Sequence, residues 1–162
     1  MPRSSLWVLV PAALALLAGC ATPGLPPPPQ FARPPVPVSF VIGPAYFPGN
    51  DSIRIDGVEA SSPNFKVGDR VVVRGWYDLS SRDSAELRLF IRSFGKPRYL
   101  TVNPEQFLMV RRGVGPFQFE WTVPLPGALY VAFYPEETGG PFGGVYFGTH
   151  ALMDRAARIE GR

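Results

Sequence analysis

Residues 117–123, Phe-Gln-Phe-Glu-Trp-Thr-Val, alternate large apolar and polar side chains without a break. In an extended chain successive side chains point to opposite faces. Phe117, Phe119, Trp121 and Val123 therefore share one face, and Gln118, Glu120 and Thr122 the other: a strand with one side in a core and one in water. The same period of two recurs upstream. Ala85, Leu87, Leu89 and Ile91 oppose Glu86, Arg88, Phe90 and Arg92, and Val71, Val73, Tyr77 and Leu79 oppose Val72, Arg74, Trp76 and Asp78. Ile53 and Ile55 alternate with Arg54 and Asp56. Residues 127–134 are apolar on both faces, as a central strand is. Residues 99–102, 107–110 and 144–147 are shorter extended runs.

Between these runs stand turn-forming clusters at residues 67–69, 80–84, 95–97, 113–116, 125–127 and 139–144. With 20 Pro and 17 Gly in 162 residues, long helices are disfavoured and short strands joined by turns are expected. About seven strands in antiparallel hairpins predict an all-β fold, an immunoglobulin-like β-sandwich; a small open β-barrel is the structural alternative. The runs FKVGDRVVVRGWY (65–77) and GPFQFEWTVP (115–124), with the alternating strand between them, resemble the immunoglobulin-like domains of bacterial envelope lipoproteins. The resemblance covers residues 52–149.

The amino terminus is of another kind. Arg3 precedes an apolar stretch, residues 6–17, shorter than the roughly 20 residues a membrane-spanning helix needs. It has the form of a signal-peptide core. At its end Leu17, Ala18, Gly19 and Cys20 resemble the bacterial lipobox. That resemblance implies cleavage before Cys20, diacylglycerol on its sulfur and acylation, typically palmitate, of the new amino terminus. One acyl chain binds membranes only reversibly, at about 0.8 kcal/mol per buried methylene, so two or three chains make a lasting anchor. The lone cysteine is thereby accounted for, and no internal disulfide can form. Ala21, in place of Asp, is what lipoproteins sorted to an outer membrane carry. The expected location is therefore the outer membrane if the cell has one, and otherwise the outer face of the cytoplasmic membrane.

From residue 21 to about 38 the chain reads ATPGLPPPPQFARPPVPV. Proline fixes φ and lacks an amide donor, which excludes helix and inner strand. Polyproline II, at about 3.1 Å per residue, gives a tether of roughly 50 Å; a ligand for an aromatic groove is the other reading of such a run. Residues 39–50, broken by Pro44 and Pro48, are expected to form an edge strand or a strapped-down lead-in. Four parts result: signal peptide 1–19, lipidated cysteine and linker 20–38, β-domain 39–149, and a tail 150–162 able to form a short, fraying helix.

Side-chain charge, +3 overall and +2 once Arg3 is removed, includes no basic run of the nucleic-acid-binding kind. With His150 as the one histidine and Cys20 committed to lipid, zinc spacing cannot be assembled. Residues 78–83 hold two aspartates and two serines but lack the rhythm of a calcium loop. No Gly-x-Ser-x-Gly occurs, and Glu136 and Glu137 are adjacent, so their side chains diverge. No catalytic residue, metal or cofactor is predicted. Surface recognition remains: Trp76 beside Arg74, and Phe90 between Arg88 and Arg92, fall on faces expected to point outward and form a candidate binding patch. The alternatives are that arginine stems cover these rings, or that residues 39–50 do. The expected function is a membrane-anchored, non-enzymatic interaction or structural module with an envelope protein or glycan as partner. A carbohydrate- or peptidoglycan-binding module using exposed aromatics is the alternative.

Overall fold

The computed structural model describes residues 33–95, 99–100, 106–137 and 139–160. The signal peptide, Leu17, Ala18, Gly19, Cys20 and the linker through residue 32 lie outside the described residues. Among the described residues, eight strands and one helix follow in order: β1 (Val36–Pro37), β2 (Val41–Tyr46), β3 (Ser52–Ala60), β4 (Arg70–Ser93), β5 (Tyr99–Leu100), β6 (Phe107–Thr122), β7 (Gly127–Tyr134), β8 (Gly143–Gly148) and α1 (His150–Glu160). Every pairing is antiparallel. The all-β expectation holds.

The strands form one sheet in the order β1-β3-β4-β7-β8-β2, with β5 and β6 also paired to β4. Its two ends, β1 and β2, are separated in the chain by only residues 38–40. Four Cα steps reach at most about 15 Å, whereas six strands laid flat at about 4.8 Å spacing put their outer members roughly 24 Å apart. The sheet is therefore curled on itself, and one short segment, residues 36–46, supplies both its ends.

The core fills the inside of the curl. Val71, Val73, Phe117 and Phe119 face inward from β4 and β6, and Leu87, Ile91, Leu129, Val131, Phe133, Val145 and Phe147 from β4, β7 and β8. Val71, Val73, Leu87, Ile91, Phe117 and Phe119 lie on the faces that alternation assigns. Trp121, on the same side as Phe119, is only half-buried because it stands near the end of β6.

Two expected turns are not turns. Residues 80–84 and 113–116 lie within β4 and β6, which continue through them as one paired, bent ribbon. Register shifts between Leu79 and Ser84, and Gly113 opposite Leu79 takes a φ of 117°, which favours glycine. Bulges of this kind bend a strand without ending it. Asp51, 5% exposed, fixes the corner: its carboxylate accepts the Ser80 and Ser81 amides at 2.7 and 2.8 Å and both serine hydroxyls at 3.0 and 2.5 Å. Arg112 donates to the Ser80 carbonyl at 2.7 Å.

The linker boundary also moves. Val36 and Pro37 pair with Ala60 and Glu59, and the Val38 amide donates to the Val58 carbonyl, so the sheet begins inside the segment assigned to the tether. An edge strand asks no amide of Pro37, which removes the objection. The tail forms the expected short helix from residue 150, and α1 buries Met153 and Ala156 against Ala128 and Tyr146. Thr149 caps its first turn, accepting the Leu152 amide at its side chain and the Met153 amide at its carbonyl.

Candidate functional site

The bend in β4 divides the candidate patch. Arg74 and Trp76 precede it, on the outer face shared by β3, β4 and β6. Arg54 and Pro116 flank Trp76 in register, and the ring is 42% exposed. Arg74 is held by Gln118 at 2.8 Å and Glu59 at 2.5 Å. Hydrogen bonding to the Glu59 carboxylate is the main reason its pKa stands above the ordinary arginine value. Residues 39–50 do not cover Trp76, since β2 pairs with β8 on the other part of the sheet. A shallow groove of about 440 Å³ opens beside it, lined by Ser52, Arg54, Tyr77, Asp78 and Val114.

Arg88, Phe90 and Arg92 follow the bend and are not an exposed patch. Phe90 is 8% exposed and stacks on Tyr134 at 4.6 Å between centroids. Arg92, 6% exposed, donates to the Tyr146 hydroxyl at 3.2 Å. Arg88 is half-buried, paired with Glu86 and set against Phe107 and Tyr134 at 5.5 and 5.4 Å. The alternation placed these residues on the correct face, but that face is covered by tyrosines of β7 and β8 and, farther along, by α1. Trp76→Ala is accordingly expected to change stability by less than about 1 kcal/mol, and Phe90→Ala to cost about 3 kcal/mol. Urea midpoints of the two variants measure the difference; equal effects contradict the assignment.

The aromatic surface absent from the sequence-based patch centres on Tyr46, at the end of β2 and 71% exposed. On one side lies a groove of about 270 Å³ lined by Pro44, Ala45, Tyr130, Gly144 and Tyr146. Tyr130 and Tyr146, cross-strand partners on β7 and β8, pack at 4.3 Å. On the other side a groove of about 410 Å³ is lined by Pro48, Ser81, Arg82, Pro141 and Phe142. Arg82 sits 4.2 Å over the Phe142 ring, which stacks on buried Phe133. The β2 register shifts between Ile42 and Ala45, so the bulge at Gly43 and Pro44 lies against Tyr146 and borders the first groove. A Cβ at Gly144 would overlap the Tyr130 ring, and its absence lets that ring lie across the strand pair.

Among the described residues no group of three or more His, Cys, Asp or Glu side chains could hold a metal. In the 78–83 stretch, Ser80 and Ser81 are engaged by Asp51, and Asp83 points outward to Arg112 at 3.0 Å. His150, at the start of α1, Glu136 and Glu137 are exposed. Comparison with protein-family models, curated proteins and solved structures gives no match.

Proposed function

We propose that the protein is a bacterial envelope lipoprotein, anchored by lipid on Cys20, whose β-domain is a non-enzymatic interaction or structural module. The observation that carries this reading is Leu17-Ala18-Gly19-Cys20 placed directly after the apolar stretch 6–17. Cleavage there leaves an acylated cysteine followed by a proline-rich spacer, which holds a folded domain off the headgroups. The immunoglobulin-like sandwich is the finer reading of the fold. In its favour, the bent β4–β6 ribbon brings both parts of the sheet onto one main core cluster; the curl also suits a small barrel.

The test is Cys20→Ala in the native host. The variant is expected to accumulate as uncut precursor and to lose labelling by radioactive palmitate, because the modifying enzyme has no sulfur to acylate. Mature, labelled protein from that variant overturns the reading. A carbohydrate-binding role is the second reading, favoured by the exposed rings of Trp76 and Tyr46 standing beside open grooves.

A further inference from the structure

We propose that the two grooves flanking Tyr46 form a binding site for a carboxylate-bearing glycan. The proposal rests on reading the domain as an envelope binding module, and gives that module a place and a ligand class. Tyr46 leaves a large ring 71% exposed at the end of an edge strand. Such a ring, flat and bordered by a hydroxyl, offers its face to the C–H face of a sugar and its edge to sugar hydroxyls. Tyr130, half-buried and backed by the buried Tyr146 ring, borders the first groove, where Gly144 leaves room for it.

The second groove supplies charge. Arg54, Arg70, Arg74, Arg88 and Arg112 each pair with a carboxylate. Arg82 has no acid within ion-pair distance among the described residues; it rests on Phe142, itself braced against the core. A guanidinium held in place but not neutralised favours an anion, and its planar donors match a carboxylate. The exposed Tyr46 ring, with Tyr130 on one side and this cation on the other, suits a chain of sugars bearing acid groups. The grooves are open and shallow, unlike the deep apolar pockets in which peptide anchors concentrate their binding energy.

The test uses the full-length lipidated protein in detergent and titration calorimetry with soluble peptidoglycan fragments. The same fragments with amidated carboxylates and a neutral glucan serve as comparison ligands. The native fragments are expected to bind, and amidation to weaken binding about tenfold. Tyr46→Ala and Arg82→Gln should each weaken it by a similar factor, whereas Tyr46→Phe should retain most of it and Val67→Ser all of it. Near-ultraviolet circular dichroism confirms that each variant is folded. No binding of the fragments, binding unchanged in both Tyr46→Ala and Arg82→Gln, or binding of an apolar peptide in their place overturns the site. Palmitate labelling and envelope crosslinking of the wild-type protein report on the anchored module separately, so either can fail without the other.

Discussion

Phe133→Ala is expected to destabilise the domain by about 3–5 kcal/mol, the range for removing a buried aromatic side chain. Phe133 is fully buried on β7, where Leu87 and Gly143 flank it in register. Its ring meets Phe47 and Tyr77 edge-on at 6.5 and 6.4 Å and stacks with Phe142 at 5.7 Å. Tyr77 belongs to the part of β4 before the bend, Phe133 to the sheet beyond it, and Phe47 to the segment after β2. One ring thus joins three parts of the curl, and no neighbour can move to fill the space without leaving another of its contacts. Phe133→Leu keeps much of the volume and should cost less than half as much. Urea unfolding followed by tryptophan fluorescence measures both; a loss below about 1 kcal/mol for the alanine variant would place Phe133 outside the core. Because Phe142 carries Arg82, the variant should also loosen the groove beside Tyr46.

Strand parity was legible in the sequence because it depends only on neighbouring residues. Val71, Val73, Leu87, Ile91, Phe117 and Phe119 all lie on the faces that alternation assigns. The bend was not legible, since Ser80, Ser81, Asp83 and Gly113 are the same residues a hairpin uses. What makes them a corner is Asp51, distant in sequence, whose carboxylate holds the bulged amides. Pro37 misled in the opposite direction: its lack of an amide excludes inner strands but not the edge it occupies.

The candidate site divides in the same way. Trp76 was found because its outward face is also a solvent face. Phe90 shares the parity, but exposure depends on what lies above it, and Tyr134 sits on another strand. Tyr46, Tyr130 and Tyr146 come from β2, β7 and β8, and only pairing brings them together. The available signal was that residues 127–134 are apolar on both faces, which could not distinguish a second core from an aromatic surface. The proposed anchor is the converse case: the proposal rests on contiguous residues and depends on no fold.

Asp51→Ala should cost about 3 kcal/mol, comparable to losing charge-assisted hydrogen bonds in a site that water reaches poorly. The Ser80 and Ser81 amides would lose their acceptor where β4 bulges, and both serine hydroxyls would lose theirs with it. The effect should depend on pH. Burial pushes the Asp51 pKa upward, but the bonds from Ser81 and Ser80 together outweigh it, and the net shift is below the ordinary 3.8. A carboxylate with a lowered folded pKa contributes its full stability above the unfolded value and loses it as pH falls through the lower folded value. The stability difference between wild type and Asp51→Ala should therefore be constant from neutral pH down to about pH 5, then shrink in stronger acid as the wild-type carboxylate takes up its proton. Urea midpoints of both proteins across that range measure it. A difference that grows toward acid, or one below about 0.5 kcal/mol at neutral pH, would show that the corner is held by the β4–β6 ladder and Arg112 without Asp51.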